Sequence, residues 1–323
     1  MTETKTTTGR LRKRALFQAL GYEPHSGQAL VHRSHAPRRI LCCGVRWGKS
    51  TCAAMECIAA LMEPRERTLG WVVAPTLELT RRTFERVVRT IRASFENRII
   101  EYSPREHCIS VRNLGGGVSE LKAKTADRPD GLLGEGIDFL VIDEAANVRE
   151  GVWDEYLAPR LIDRKGWSLI ISTPRGQGWF QREFRRAKRD PDYERWQAPT
   201  SENPRIDLAL IEAERGRLDA DTFAQQYEGR FTGPPEPCPV CHGPSPRAEG
   251  CTVRLNDDLV LKCSECGMPV DKRGFTLVKL TEDGKMRFSV ARLICPDPTP
   301  EEMAGFEDWT DAVQRFERDP RAA

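Results

Sequence analysis

Long apolar runs and a strong excess of charge of one sign are both missing from this sequence of 323 residues. No apolar stretch approaches the roughly 18–20 residues that a membrane-spanning helix needs, so the sequence predicts no membrane association. Residues 1–20 have no apolar segment followed by a small-residue cleavage site, so we expect no secretory signal. The 50 Lys and Arg residues nearly balance the 48 Asp and Glu residues, which excludes a uniformly basic, histone-like binder but allows local basic faces.

Regularly paired cysteines are also missing from most of the chain. The total of 11 is odd, and the five cysteines in the first 110 residues have no paired spacing. We therefore expect a protein of a reducing compartment, in which specialised cysteines ligate a metal instead of forming disulfides.

Apolar strands alternate with amphipathic helices over residues 25–232. Strands that are buried on both faces are indicated by continuous apolar runs. These runs lie at residues 39–43, 70–75, 137–143 and 167–172. The alternation predicts an α/β domain with a mostly parallel sheet sandwiched by helices, preceded by a basic lead segment at residues 1–24.

The loop between the first predicted strand and the next helix resembles a phosphate-binding loop. Its pattern is Gly-x-x-x-x-Gly-Lys-Ser/Thr, except that Cys43 occupies the first glycine position. In this interpretation Lys49 contacts the β- and γ-phosphates and Ser50 ligates Mg²⁺. The predicted ATP-binding residues of the loop are Gly44, Val45, Arg46, Trp47, Gly48, Lys49, Ser50 and Thr51. The alternative is a Gly-Lys-Ser turn that arose by chance, with Arg46 as an ordinary surface arginine and Trp47 as a packing residue.

Two further polar pairs follow predicted strands. Asp143 and Glu144 end an apolar strand, where Asp143 can hold Mg²⁺ through water and Glu144 can act as the general base for an attacking water. Ser172 and Thr173 end the next strand, where their hydroxyls can sense the γ-phosphate. The alternative for both pairs is the capping of a following helix. Together with the loop, the Asp-Glu pair predicts a P-loop NTPase of the type with an additional catalytic glutamate, the ASCE type.

The order of these motifs resembles the large terminase subunit of tailed bacteriophages, over roughly residues 21–232. The matching segments are GVRWGKS, PDGLLGEGIDFLVIDEAANV, ISTPRGQGWF, SENP and FAQQYEGRF. The resemblance implies that Gln28 binds adenine, that Lys49, Ser50, Asp143 and Glu144 have the roles given above, and that Ser172 and Thr173 couple hydrolysis to movement.

The resemblance also implies a function and its partners. It implies a Mg²⁺-dependent ATPase motor that moves double-stranded DNA into a viral procapsid in the host-cell cytoplasm. The implied partners are the portal protein, a small terminase subunit and further copies of the chain in a ring. Many relatives carry Arg at the position of Val45, so Arg46 is the candidate substitute. Arg128, before the Asp-Glu strand, is the candidate arginine finger, although an ordinary surface arginine is an equal alternative.

The last part of the chain has a different composition. Residues 233–246 contain six prolines, and two Cys-x-x-Cys pairs fall within residues 233–270. Four thiolates in two knuckles are typical of a structural zinc site, so we expect a zinc ribbon-like module that binds Zn²⁺. The predicted zinc ligands are Cys238, Cys241, Cys263 and Cys266. Residues 271–323 are predicted to form a β-hairpin and a helical tail.

Length limits the expected activities. Only 91 residues follow Thr232, fewer than the RNase H-like nuclease domain of the resembled family needs. We therefore expect an ATPase without its own nuclease domain. If the DNA is cut, we expect a separate nuclease chain to cut it. A basic segment at residues 180–189 is a candidate DNA-contacting helix or a solvated charged face. Two other functions remain open at this point, a helicase-like or DNA-remodelling ATPase and a non-enzymatic adaptor with a degenerate loop.

Overall fold

A computed structural model describes residues 11–176 and 178–232 in full, together with the backbone of four strands further along the chain. The chain divides into two compact units, Met1–Gly233 and Pro234–Ala323. Among the described residues, no helix is long and apolar enough to cross a membrane.

The first unit is a mixed α/β structure around an eight-stranded sheet. The strands are β1 (Arg38–Cys43), β2 (Arg67–Ala74), β3 (Ile99–Ser103), β4 (Cys108–Arg112), β5 (Val118–Thr125), β6 (Phe139–Ile142), β7 (Trp167–Ser172) and β8 (Tyr193–Ala198). Their order in the sheet is β3-β4-β5-β2-β6-β7-β1-β8. The six strands from β5 to β8 in that order run parallel, whereas β4 and β3 add an antiparallel edge.

Helices cover both faces of this sheet. The α-helices are α1 (Lys13–Ala19), α2 (Ser26–Arg33), α3 (Lys49–Met62), α4 (Leu77–Phe95), α5 (Trp179–Arg186), α6 (Leu208–Arg217) and α7 (Ala220–Gln226). Successive strand residues point to opposite faces, so Leu41 belongs to the core under α3 and α4, whereas Ile40 belongs to the core under α5. The predicted sheet with helices on both faces is confirmed at this level.

Several elements differ from the sequence-based expectation. The strand predicted at 137–143 is regular only over Phe139–Ile142, and at its start the N–H of Ile137 donates to the carbonyl of Arg160, which lies outside the sheet. Helix α2 and strand β8 were not predicted at all. The buried residues of α2 include Gln28 and His32, so its inward face does not look apolar in the sequence.

The second unit contains a four-stranded antiparallel sheet in the order β10-β9-β12-β11. Its strands are β9 (Thr252–Leu255), β10 (Leu261–Cys263), β11 (Phe275–Leu280) and β12 (Met286–Val290). Strands β11 and β12 pair antiparallel within residues 271–323, the region of the predicted β-hairpin. The predicted helical tail and three of the predicted zinc ligands, Cys238, Cys241 and Cys266, lie outside the described residues, and Cys263 ends β10.

Candidate active site

Three predicted motifs meet at one edge of the sheet. Strands β6, β7 and β1 are neighbours and parallel, so the loops that follow them lie together at the carboxyl edge. The loop after β1 contains residues 44–48, the loop after β6 begins with Asp143, and β7 ends at Ser172. This edge is the usual location of ligand sites in open α/β sheets.

The phosphate-loop candidate has a backbone that only certain residues tolerate. Gly48 has φ 102°, in the left-handed region, and a Cβ there would lie 2.6 Å from Nε2 of Gln28. Arg46 also has a positive φ, 60°, and its side chain is exposed. Among the described residues, the N–H groups of Arg46 and Gly48 have no recorded acceptor, so both remain available to an anion.

Two later segments hold the other side of this loop. The N–H of Gly44 donates to the carbonyl of Ala198 at 3.0 Å, and that of Val45 donates to the carbonyl of Gln226 at 2.6 Å. The Thr200 hydroxyl donates to the Val45 carbonyl at 2.7 Å. The end of β8 with the residues just before the SENP segment, and the FAQQYEGRF segment, thus support the loop directly, a role that sequence reasoning did not foresee.

Lys49 is the buried cation of the site. Its side chain is 7% exposed, and Nζ donates to the carbonyls of Cys43 (2.9 Å) and Gly44 (2.8 Å) and to Oγ1 of Thr173 (3.0 Å). Burial lowers the pKa of Lys49, and the nearby carboxylates of Asp143 and Glu144 partly oppose this shift. The structure therefore brings the loop lysine, the acidic pair and Thr173 together.

Asp143 is fixed by two donors. The residue is 5% exposed, its Oδ2 accepts a 2.6 Å hydrogen bond from the Thr83 hydroxyl, and its Oδ1 accepts one of 2.9 Å from the Glu144 N–H. Thr83 lies on α4 and is fully buried. Sequence reasoning missed Thr83, although a threonine at a buried position of an otherwise apolar helix face is a signal of a tertiary hydrogen bond.

Glu144 has an unusual backbone and a raised pKa. Its φ is 53°, and burial together with the neighbouring Asp143 raises its pKa, whereas Lys49 lowers it. The capping alternative does not hold, because the short 3₁₀ turn Ala145–Asn147 receives no side-chain cap from Glu144. A strained carboxylate beside a buried cation is typical of a reactive site.

The segment after β7 is bonded to the segment after β6. The N–H of Ala146 donates to the Ser172 hydroxyl at 3.1 Å, Arg175 bonds to the Asn147 side chain, and Nε1 of Trp179 donates to the Val148 carbonyl at 2.9 Å. The capping alternative fails here as well, because the N-cap of α5 is Gly178.

Gln28 and Trp47 close the other end of the loop. Gln28 is 5% exposed; its Nε2 donates to the Gly48 carbonyl at 3.1 Å and its Oε1 accepts from the N–H of His25 at 3.2 Å. Trp47 is buried, with Nε1 donating to Glu202 at 2.9 Å and the His25 ring edge-on at 4.6 Å. Both side chains thus bind protein groups, and the predicted adenine contact of Gln28 stays a prediction.

The structure does not bring all of the remaining predicted residues into contact with the site. Ser50 and Thr51 are half-buried in the first turn of α3, and the Ser50 hydroxyl has no partner among the described residues. Arg128 is exposed at the start of the turn Pro129–Leu132, and within residues 11–176 and 178–232 no hydrogen bond or ion pair joins its side chain to the site. In α5, Arg182 pairs with Glu150.

Comparison with known proteins decides the family. The family model described as terminase large subunit, T4likevirus-type, N-terminal, matches residues 40–236. The chain belongs to the terminase large-subunit family. The family resemblance that the motifs suggested is confirmed, and the helicase-like alternative is not favoured.

Individual relatives agree. The large terminase subunit of Thermus phage G20c is 38% identical over 181 residues, which are 52% of this chain and 37% of that protein, so the chain spans little more than a third of this relative. The large terminase ATPase domain of Thermus phage P74-26 is similar in structure, with a TM-score of 0.63 and 32% identity over 69% of this chain and 100% of that domain.

A more distant structure extends the likeness of fold. The large terminase of another thermophilic bacteriophage, solved in complex with ADP, has a TM-score of 0.56 and 13% identity, and the match covers 91% of this chain and 74% of that protein. At that identity the likeness concerns the fold alone.

Proposed function

We propose that this chain is a P-loop ATPase that drives the movement of double-stranded DNA into a viral procapsid. The observation that carries the proposal is the contact of Lys49 with Thr173 beside the Asp143–Glu144 pair. This arrangement puts a phosphate-binding cation, a metal-binding carboxylate and a base at one edge of the sheet. The family membership supports the connection to DNA packaging.

The phosphate groups of ATP would bind at the N-terminus of α3. The free N–H groups of Arg46 and Gly48 and the helix dipole favour an anion there. Lys49 donates to two main-chain carbonyls in the structure, and phosphate oxygens would replace them as stronger, charged acceptors. Gln28, the predicted adenine contact, bonds to the Gly48 carbonyl of the loop.

Oxygen ligands suited to Mg²⁺ are present. The Ser50 hydroxyl, without a partner among the described residues, and the buried carboxylate of Asp143 are the hard oxygen donors that Mg²⁺ prefers. When bound, Mg²⁺ would neutralise charge on the β- and γ-phosphates. Thr83 and the Glu144 N–H orient the Asp143 carboxylate for this role.

Glu144 is the proposed base. A raised pKa makes its carboxylate a better proton acceptor, so Glu144 can take a proton from the attacking water as the water oxygen bonds to the γ-phosphorus. The bond from the γ-phosphorus to the bridging oxygen breaks, and ADP leaves with that oxygen. Lys49 stabilises the charge that develops. Ser172 and Thr173 link this event to the loop after β6 and to Lys49.

The second unit is proposed to hold a structural zinc ion. Cys238, Cys241, Cys263 and Cys266 form two Cys-x-x-Cys pairs, and four thiolates are a closed, tetrahedral donor set for Zn²⁺. Zn²⁺ would supply folding free energy to this unit.

The proposed partners follow from the family. They are double-stranded DNA, the portal of a procapsid, a small terminase subunit and further copies of the chain, in the cytoplasm of an infected cell. The test is a packaging assay with portal-bearing procapsids. ATP-dependent protection of DNA from added nuclease is expected with the wild-type chain and not with Lys49→Ala; equal protection by both would reject the proposal.

A further inference from the structure

The exposed face of α4 carries a row of arginines. This helix buries its apolar side against the sheet, with Phe84, Val87 and Ile91 among the buried residues. The opposite face carries five arginines against two glutamates. They are Arg81, Arg82, Arg86, Arg89 and Arg92, with Glu78 and Glu85.

Three of these arginines follow one another along the helix. Arg82, Arg86 and Arg89 have the spacing i, i+4, i+7, so they lie on one side of α4 and span about 10 Å of its axis. A straight row of cations of this length suits an extended anion better than a small one.

Little in the described part of the chain neutralises the row. Arg82 pairs with Glu78 at 2.9 Å, but the two side chains are 68% and 81% exposed, and such a pair exchanges easily with another anion. No carboxylate of the described residues pairs with Arg86 or Arg89, and Nε of Arg89 donates only to the main-chain carbonyl of Glu85.

Helix α5 lies in the basic segment at residues 180–189, the predicted candidate for either DNA contact or a solvated charged face, and it differs in this respect. Arg182 pairs with Glu150, and Arg186 lies 3.7 Å from Asp190. The remaining arginines of that segment, Arg185 and Arg189, are engaged as well. Arg182 and Arg186 therefore belong to local ion pairs.

The row is also rigidly attached to the active-site edge. The Thr80 hydroxyl of α4 donates to the Lys124 carbonyl of β5 at 2.8 Å, and Thr83 donates to Asp143. Arg82 is close enough to Glu144 to lower the pKa of that carboxyl. A polyanion bound along α4 would therefore lie on the element that holds the proposed metal ligand.

We propose that Arg82, Arg86 and Arg89 contact the phosphate backbone of double-stranded DNA. This assignment rests on the proposed function as a DNA motor. Guanidinium groups donate two parallel hydrogen bonds to phosphate and read no base sequence. Contacts of this kind suit a motor that moves along DNA of any sequence.

The experiment measures DNA affinity against salt concentration. The full chain, as wild type, Arg86→Gln/Arg89→Gln and Arg182→Gln/Arg186→Gln, is titrated with a mixed-sequence DNA duplex between 50 and 200 mM NaCl. Each lost phosphate contact lowers the slope of log K against log salt by about 0.9, so the α4 pair should lose about 1.8. The α5 pair removes the same charge and should keep the wild-type slope.

Further arms separate the outcomes. Arg86→Lys/Arg89→Lys keeps the charge and should retain most of the slope, and thermal unfolding of each variant checks the fold. An unchanged slope for the α4 pair, or an equal loss for both pairs, overturns the proposed surface. A wild-type chain without any DNA affinity rejects the proposed function as well.

Discussion

At the scale of single residues, the candidate site depends on side chains that hold other side chains. Lys49 is held by two carbonyls and Thr173, and Asp143 by Thr83 and the Glu144 N–H. Buried polar groups without partners cost free energy, so each of these bonds contributes to stability as well as to geometry. Of these residues, Thr83 can be replaced without removing a group that reacts in the proposed mechanism. The effect of losing its hydroxyl can therefore be measured.

Thr83→Val should loosen Asp143. The substitution keeps the shape but removes the hydroxyl, which leaves Oδ2 of a buried carboxylate without its donor and should cost about 1–3 kcal/mol of unfolding free energy. We expect the Mg²⁺ concentration for half-maximal ATP hydrolysis to change, with little change for Thr83→Ser.

The control is Thr90→Val on the same helix. The Thr90 hydroxyl donates to the Arg86 carbonyl one turn earlier and, in the described part of the chain, to no other group. An identical Mg²⁺ dependence of wild type and Thr83→Val would show that Asp143 needs no such support.

At the scale of elements, one buried carboxylate joins three helices. Glu56 of α3 accepts from Lys13 of α1 at 2.9 Å and from His32 of α2 at 2.7 Å, and it also pairs with Arg39 of β1. Burial opposes the ionisation of Glu56, but Arg39, His32 and Lys13 outweigh it and hold its pKa far below the usual value. This cluster fixes α2, and with it Gln28, against the phosphate-loop helix.

Glu56→Gln should destabilise the first unit by about 3 kcal/mol, because Arg39 would remain buried without its counter-charge. The unfolded state binds more protons than the folded state wherever the folded pKa is depressed, so stability rises with pH in that range. The Glu56 contribution is therefore complete above the unfolded pKa of about 4.3 and is lost as pH falls below it.

Denaturant unfolding at several pH values measures this effect. We expect the unfolding free energy of Glu56→Gln to fall less steeply than that of the wild type as the pH is lowered into the acid range. Glu85→Gln, at an exposed ion pair of α4, is the matched control and should leave stability nearly unchanged. Equal stability of wild type and Glu56→Gln would contradict the structural role of the cluster.

Much of the fold at this scale was readable from the sequence, and the exceptions have a physical cause. Strands β1 and β7 were predicted nearly residue by residue, because strands buried on both faces are continuously apolar. Helix α2 was missed because its buried positions carry Gln28 and His32, whose partners come from distant segments. The motifs predicted that Lys49, Asp143 and Glu144 are neighbours. They did not predict Thr83 or the support of the loop by Thr200, because these contacts also join distant segments.

At the scale of the whole molecule, the two units are proposed to have separate tasks. The chain matches a terminase ATPase domain over that domain's full length, and the second unit contains the four cysteines proposed to bind Zn²⁺. The task proposed for the first unit would depend on ATP and Mg²⁺, and the task proposed for the second would depend on a Zn²⁺ ion that only stabilises the fold.

Purified chain should contain one equivalent of zinc, and Cys263→Ser should lose it, because three thiolates leave the tetrahedral set incomplete. Metal analysis after dialysis measures the content. Cys108→Ser is the control: Cys108 lies on β4, where its thiol donates to Glu120, and is not a proposed ligand. Full zinc content in Cys263→Ser would reject the proposed ligand set.

Glu144 is proposed to be the base of an ATPase whose nucleotide site forms at the carboxyl edge of the sheet. The most direct measurement compares wild type and Glu144→Gln in ATP binding and in DNA-stimulated ATP hydrolysis. Gln has the same shape but cannot accept the proton of water, so we expect binding within a few-fold of wild type and turnover lowered by about 10²-fold or more. Turnover at the wild-type rate in Glu144→Gln would contradict the account.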